Sequence, residues 1–347
     1  MLPLTLSQEP DDALMVRAAW LYYEVGMTQE EAASRLGVPR TRVVRLLAEA
    51  RERGLVSISI QHDSIRDLRT EHAIATRYKL DFCLTTPRLE LPLKEDPALV
   101  ATQGLIARRS VGGAAASLLK GMLASGPVTI GVSWGRTLEQ VAQHLSGVRN
   151  PLARFVSLMG SLTRNSASNP FEVVQALAAR TGGEGYFLPV PFIADTRRDR
   201  DVLIGQRIVA EALDLARAAD LYLISVGEMT ERSVLRQQQM ISPSELADLR
   251  AHGAVGDTLG VFFDADGRLV SHPVAERAIA MSFNELRGRN VVLLAAGLEK
   301  ITATVALLRT GVVKGLVIDG DTAAAVAAAG ASHLDPVTKQ LPKLIGA

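Results

Sequence analysis

The pentapeptide Gly131-Val-Ser133-Trp-Gly135 has the Gly-x-Ser-x-Gly form of a nucleophile elbow, a strand-to-helix turn that presents a serine hydroxyl. A hydrolase built on Ser133 would need an acid and a histidine downstream. The available pairs are Asp264 with His272 and Asp319 with His333. Asp264 falls in an apparent hairpin turn, His333 follows an Ala-rich helix, and no His-Gly-Gly-type oxyanion loop precedes Ser133. The same loop also suits an anion or a polyol. A glycine-flanked strand end followed by Arg136 and Thr137 at a helix start offers backbone N–H groups, hydroxyls and a guanidinium. The plain alternative is an ordinary glycine turn.

Two further junctions carry chemistry. Gly253-Ala-Val-Gly256-Asp257 puts a carboxylate beside two glycines just before a strand, where it can accept from sugar hydroxyls or simply cap a turn. Ala296-Gly297-Leu-Glu-Lys300 joins a strand end to a helix, and Lys300, one turn in, can add its charge to a phosphate at the helix start or lie idle at the surface. Open α/β sheets bind ligands at such strand ends. The six His show no metal-binding spacing, and Asp264-Ala-Asp-Gly267 lacks the ligands of a calcium loop, so no metal is expected. Neither Gly-x-Gly-x-x-Gly nor a Walker A pattern occurs, and no cofactor is expected. Cys83 reads as core filling.

A second constellation lies near the start. Thr28 with Glu31 three residues on has the form of a capping box, opening a helix to Leu36. Gly37-Val-Pro39 turns the chain into a second helix that ends at Gly54, with Pro39 in its first turn. Ala33 at the crossing, Gly37 in the turn and Leu36, Val38, Val43 and Leu46 as apolar contacts give the spacing of a helix-turn-helix. Thr28 and Gln29 open the first helix, and Arg40, Thr41, Arg42 and Arg45 crowd the start of the second, the end that meets the major groove. Between Arg35 and Arg53 stand six Arg against two Glu, in a chain whose formal charge is +1. A local basic patch of this kind suits double-stranded DNA, and Thr28, Gln29, Arg40, Thr41, Arg42 and Arg45 are the expected contacts. Arg17, Arg51 and Arg53 read as surface or phosphate contacts. A three-helix bundle with a solvated basic face is the bland alternative.

The positioning elements follow from periodicity. Helical spacing runs from Asp11 to about Arg53, and Leu55–Ile60 alternates like a half-buried strand. After Asp63 a helix over Ile65–Tyr78 leads into strands and helices in alternation. Strands are expected at Asp81–Thr86, Pro127–Val132, Phe155–Met159, Leu221–Val226, Val291–Ala295 and Gly315–Ile318, and a hairpin around Asp264–Gly267. Helices are expected at Thr137–Leu145, Phe171–Arg180, Ile204–Ala219, Ser242–Ala251, Glu299–Arg309 and Thr322–Ala329. The pattern is α/β with a mainly parallel sheet. Residues 1–60 form one expected domain and 61–347 a second, larger one; residues 1–10 read as a loose tail. With 347 residues, 48% hydrophobic, the chain can bury real cores, and 4% aromatics argue against single-strand stacking. One cysteine excludes an internal disulfide, and the Met1 end shows no signal-peptide pattern. No apolar run approaches a membrane span, so a soluble cytoplasmic protein is expected.

The whole chain from about Met15 to Ala328 resembles the SorC/DeoR-type sugar-binding transcriptional regulators. The resemblance rests on Met15-Val-Arg-Ala-Ala-Trp-Leu-Tyr-Tyr, Thr28–Leu47, Gly131–Thr137, Leu188-Pro-Val-Pro191, Gly253–Asp257 with Phe263–Gly267, and Ala296–Lys300 with Leu307–Gly311, in that order. It implies an effector domain similar to sugar-phosphate isomerase and deaminase folds. It also implies effector contacts at Ser133, Gly135, Arg136, Thr137, Asp257 and Lys300, and a tetramer. Ala296 and Ser225 stand where the family commonly has glycine. The expected function is DNA-binding control of carbohydrate or polyol metabolism through a small sugar phosphate or polyol, with the phosphate favoured. A sugar-phosphate isomerase or deaminase, or a hydrolase using Ser133, is the alternative.

Overall fold

A computed structural model of the chain describes residues 11–56, 68–90, 97–161 and 169–331. The chain divides into two compact units, Met1–Gln61 and His62–Ala347. The expected tail at residues 1–10, the helix start at 65–67 and His333 lie outside the described residues.

In the first unit, α1 (Asp11–Ala19) runs on through a π-helical turn, Trp20–Glu24, and is followed by α2 (Gln29–Leu36) and α3 (Arg40–Glu52). The capping box is complete: Glu31 N donates to Thr28 Oγ1 at 3.2 Å and Thr28 N to Glu31 Oε2 at 2.8 Å. Gly37 ends α2 at φ 66°, a left-handed conformation that an L side chain resists. Pro39 stands one place earlier than expected, at the N-cap of α3, where its carbonyl accepts from the N–H groups of Arg42 and Val43. Leu14, Met15, Ala18 and Leu21 pack on Ala32, Ala33, Leu36, Val38, Val43, Leu46, Leu47 and Ala50. The expected strand at 55–60 lies outside the described residues from position 57; Leu55 and Val56 donate their N–H groups to Ala50 O and close the end of α3.

The second unit is built on seven strands: β1 (Phe82–Thr86), β2 (Val128–Val132), β3 (Ala153–Ser161), β4 (Glu184–Pro191), β5 (Leu221–Ser225), and, after four short intervening strands, β10 (Val291–Ala295) and β11 (Gly315–Asp319). Their order is β1-β11-β10-β5-β2-β3-β4, and every pair in it is parallel. Side chains alternate between two cores along each central strand. Tyr222, Ile224, Val291, Leu293, Leu316 and Ile318 enter one cluster, and Leu221, Leu223, Val292, Leu294 and Val317 the other. Both faces are therefore covered, as a parallel sheet requires.

Three elements depart from the sequence reading. After α4 (Leu68–Tyr78), the described part of the helix expected to end at Tyr78, the 27-residue helix α5 (Pro97–Leu123), which carries the crossover from β1 to β2, was not anticipated. Neither was β4, whose Pro189 and Pro191 are tolerated because it is the sheet edge. The helix expected over Ile204–Ala219 runs Arg207–Arg217, and an unanticipated helix, Arg197–Ile204, precedes it across Gly205-Gln206. A second sheet joins β6 (Gly227–Glu228), β7 (Gly256–Thr258), β8 (Val261–Phe263) and β9 (Leu269–Val270) in antiparallel order, with the Asp264–Gly267 turn between β8 and β9. Among the described residues, no helix is long and apolar enough to cross a membrane.

Candidate functional site

From β2 the chain moves outward to β3 and β4, then returns to lay β5 against the other side of β2 before continuing to β10 and β11. The order of the sheet reverses between β2 and β5, and loops leaving their carboxyl ends diverge there. Such a reversal opens a crevice for ligands. Ser133, Gly135 and Arg136 follow β2, Lys300 follows β10, and Asp257 sits within β7 rather than ahead of a strand.

One short segment, Ser225–Glu228, joins nearly all of them. Ser133 N continues the ladder to Leu223 O at 2.9 Å, and Ser133 Oγ accepts from Ser225 N at 3.2 Å. Gly135 caps α6 (Arg136–His144) at φ 129°, and a Cβ there would lie 2.9 Å from Ser225 Oγ. That hydroxyl donates to Trp134 O at 2.6 Å, so Ser225 ties the β2 loop to the end of β5. Lys300 Nζ donates to Val226 O at 2.7 Å. Asp257 is paired with Gly227 across β6 and β7, so closely that a Cβ on Gly227 would lie 2.0 Å from Asp257 Oδ1. Arg136 Nη2 lies 3.6 Å from Glu228 Oε1. Thr137 is buried in the first turn of α6, and its hydroxyl has no hydrogen-bond partner among the described residues. Lys300 heads the helix Ile301–Arg309, after a 3-10 turn, instead of lying one turn inside it.

The electrostatics are those of a dry, crowded cluster. Burial, reinforced by Glu228, pushes the Asp257 carboxyl up to about 7, while Lys300 opposes the shift. Burial likewise lowers the Lys300 ammonium, against the pull of Glu228. Arg108 on α5, also lowered by burial and by Arg136, reaches Glu299 at 3.5 Å. Asp319, at the end of β11, accepts from Gly297 N at 2.9 Å and Thr322 N at 3.0 Å, which fixes the turn before Lys300. Ala296, before that turn, is fully buried in the sheet core.

Arg108 and Glu228 are the site members that sequence reasoning missed. Arg108 lies on the unrecognised α5. Glu228 was within reach, because it follows the glycine at a strand end, the placement that singled out Lys300.

Nothing in this arrangement makes Ser133 a nucleophile. Its oxygen is engaged by the Ser225 amide, and Asp264, His272 and Asp319 are engaged elsewhere, while His333 lies outside the described residues. Asp264 Oδ1 accepts from Asp266 N and Arg268 N, both at 2.9 Å. His272 Nε2 faces Asp248 Oδ2 at 3.0 Å, while its Nδ1 accepts from Val274 N.

In the first unit, α3 turns Val43, Leu46, Leu47 and Ala50 inward and leaves Arg40, Thr41, Val44 and Arg45 exposed; Arg42 is half-buried. Thr28 is committed to its cap, and Gln29 is half-buried at the first position of α2. Arg40 lies 3.8 Å from Glu30, both exposed, a contact of small energetic weight. Arg53 is held by Asp12 at 2.6 Å and by Glu49, which ties the end of α3 to α1. Val44, 44% exposed on the basic face, was not singled out from the sequence because its type marks it as core.

A family model described as "Putative sugar-binding domain" matches residues 62–328. The erythritol catabolism regulatory protein EryD of Brucella abortus is 36% identical over 319 residues, 92% of this chain and 97% of that protein. The sorbitol operon regulator of Klebsiella pneumoniae is 26% identical, over 92% of this chain and 98% of its own. The crystal structure of full-length SorC, the sorbitol operon regulator from the same organism, superposes with a TM-score of 0.67 at 24% identity, covering 92% of this chain and all of that one.

Proposed function

This chain belongs to the SorC-type family of sugar-binding transcriptional regulators, and from that premise we propose that residues 1–60 bind an operator while residues 61–347 bind a small sugar or polyol that controls the binding. It is a regulator of transcription and not an enzyme. The observation that carries the effector reading is the convergence of Ser133, Gly135, Arg136, Asp257 and Lys300 on Ser225–Glu228 at the strand-order reversal. Thr137 completes the set from the first turn of α6. Hydroxyl donors and acceptors, two carboxylates and three cations suit a polyhydroxylated ligand, with or without a phosphate.

On the DNA side, Arg40, Thr41, Arg42 and Arg45 face the major groove, with Thr28 and Gln29 against the backbone at the start of α2. Val44 adds an apolar contact of the kind a thymine methyl accepts. The protein acts as a homo-oligomer, a tetramer by the family resemblance, in the cytoplasm. Ligand binding changes DNA affinity because it favours one arrangement of the oligomer over another.

The test uses the full chain. An operator is selected from a random-sequence duplex library, and its affinity is measured by fluorescence anisotropy with and without erythritol, erythritol 4-phosphate, sorbitol and sorbitol 6-phosphate. At least one should shift the DNA affinity, and Asp257→Asn should reduce that shift. A chain that selects no sequence, or whose affinity no member of this panel moves, refutes the reading.

A further inference from the structure

Glu228 is a buried acid of the site with an unsatisfied oxygen. It is 4% exposed, and its Oε1 has no hydrogen-bond donor among the described residues. Arg136 Nη2, at 3.6 Å, neutralises its charge from beyond hydrogen-bond length. A buried carboxylate oxygen without a donor is costly, so the missing donor must be supplied by whatever fills the crevice. Thr137 Oγ1, next to Arg136 in sequence, is buried and unpartnered as well.

The cations around it are already matched. Arg136 faces Glu228, Arg108 faces Glu299 at 3.5 Å, and Lys300 lies within the influence of Glu228 and Asp257 while donating to Val226 O. A dianionic phosphate has no O–H to offer Glu228. It would also enter a pocket where each positive charge has an acid beside it, and like charges in a dry site repel strongly.

We infer that Glu228 is a specificity-determining residue, accepting a hydroxyl hydrogen of an uncharged polyol and rejecting the phosphate ester of the same polyol. The inference rests on the effector reading above and refines it. Glu228 follows the Gly227 that pairs with Asp257 on β7, so a second acid lies close by in the same cluster.

The test compares erythritol with erythritol 4-phosphate by isothermal titration of the wild type, Glu228→Gln and Arg136→Gln. The wild type should bind the polyol at least about tenfold more tightly than the ester, since like-charge juxtaposition penalises the ester. Glu228→Gln, nearly isosteric, should weaken the polyol and strengthen the ester, collapsing or reversing that ratio. Arg136→Gln leaves Glu228 unscreened and should weaken the ester further, so the sign pattern across two variants is tested even if one is poorly folded. A wild type that prefers the ester, or a Glu228→Gln that shifts both ligands alike, overturns the inference and leaves the effector reading standing. Binding of neither ligand, with none from the sorbitol pair, removes both.

Discussion

Asp257 should make the larger unit less stable as the pH rises through neutrality. Its carboxyl titrates at 3.8 when free and about 7 in the fold, because burial and Glu228 penalise the anion more than Lys300 relieves it. A raised acid pKa means that the folded state holds the proton more tightly than the unfolded chain. The stabilisation is complete below 3.8 and is lost as the pH climbs through about 7. About three pH units corresponds to something on the order of 4 kcal/mol, an upper bound because neighbouring charges relax. Asparagine has nearly the shape of the protonated acid and cannot ionise. Asp257→Asn should therefore exceed the wild type by a small margin at pH 5, where part of the stabilisation is already lost, and by a larger one at pH 8. For a unit of this size each kcal/mol moves the melting temperature by roughly 2–4 °C, so even half of the bound should be plain. The two tryptophans allow the measurement on one unit. Trp134 is buried beside Ser133, whereas Trp20 is exposed in the first unit, so a Trp20→Phe background leaves emission that reports the larger unit alone. Equal stabilisation at pH 5 and pH 8 would refute the reasoning, since the effect would then be packing. Destabilisation confined to pH 8 would refute it too, by making the Lys300–Asp257 attraction the dominant interaction.

Three further outcomes follow from the geometry. Arg45→Ala, on the exposed face of α3, should cost about 1–3 kcal/mol of operator affinity and relax specificity if it reads a base, and adding Arg42→Ala should lower affinity further; unchanged anisotropy titrations of the double variant at moderate salt would contradict the groove assignment. Gly227→Ala puts a Cβ 2.0 Å from Asp257 Oδ1 and must displace that carboxylate, so the thermal shift with effector should vanish while ligand-free operator binding survives. Thr28→Ala removes half of the capping box and should destabilise the first unit by about 1 kcal/mol, read from its melting by circular dichroism in an isolated fragment if that fragment folds, or from hydrogen exchange of α2 amides in the full chain.

The elements that were legible in the sequence are those whose periodicity reflects a single environment. The capping box and turn at Thr28–Pro39 are local chemistry, and the apolar runs of β5, β10 and β11 are what burial on both faces demands. The helix Arg197–Ile204 was missed because Arg197-Arg-Asp-Arg-Asp201 contains no apolar position, and none of its residues is buried. In α5 the obstacle was the opposite. Gly104, Gly112, Gly113 and Gly121 lower its helix propensity, yet a Cβ on Gly112 would sit 2.4 Å from the Gln140 side chain, so glycine there is the condition for α5 to pack on α6. Close approach between helices is a tertiary demand that no local pattern announces. For the same reason Arg108 was invisible as a site residue, and β4, carrying two prolines, looked unlike a strand until its place at the sheet edge was known.

The fate of Gly131-Val-Ser133-Trp-Gly135 shows why such a motif cannot be read alone. The local context asked of a nucleophile elbow is present: strand β2 before it, a left-of-plane glycine at φ 129°, and helix α6 after it. What decides its chemistry is where the hydroxyl oxygen is spent. A nucleophilic serine gives its proton to a base and leaves its oxygen free to attack. Here the oxygen receives the Ser225 amide, Ser225 in turn donates to Trp134 O, and the two loops at the reversal of strand order are joined by these paired bonds. The serine thereby fixes the spacing of the crevice in which Arg136, Glu228, Asp257 and Lys300 meet. That is a positioning role, and it requires the tertiary neighbour, supplied 92 residues later in the chain, that the pentapeptide does not contain.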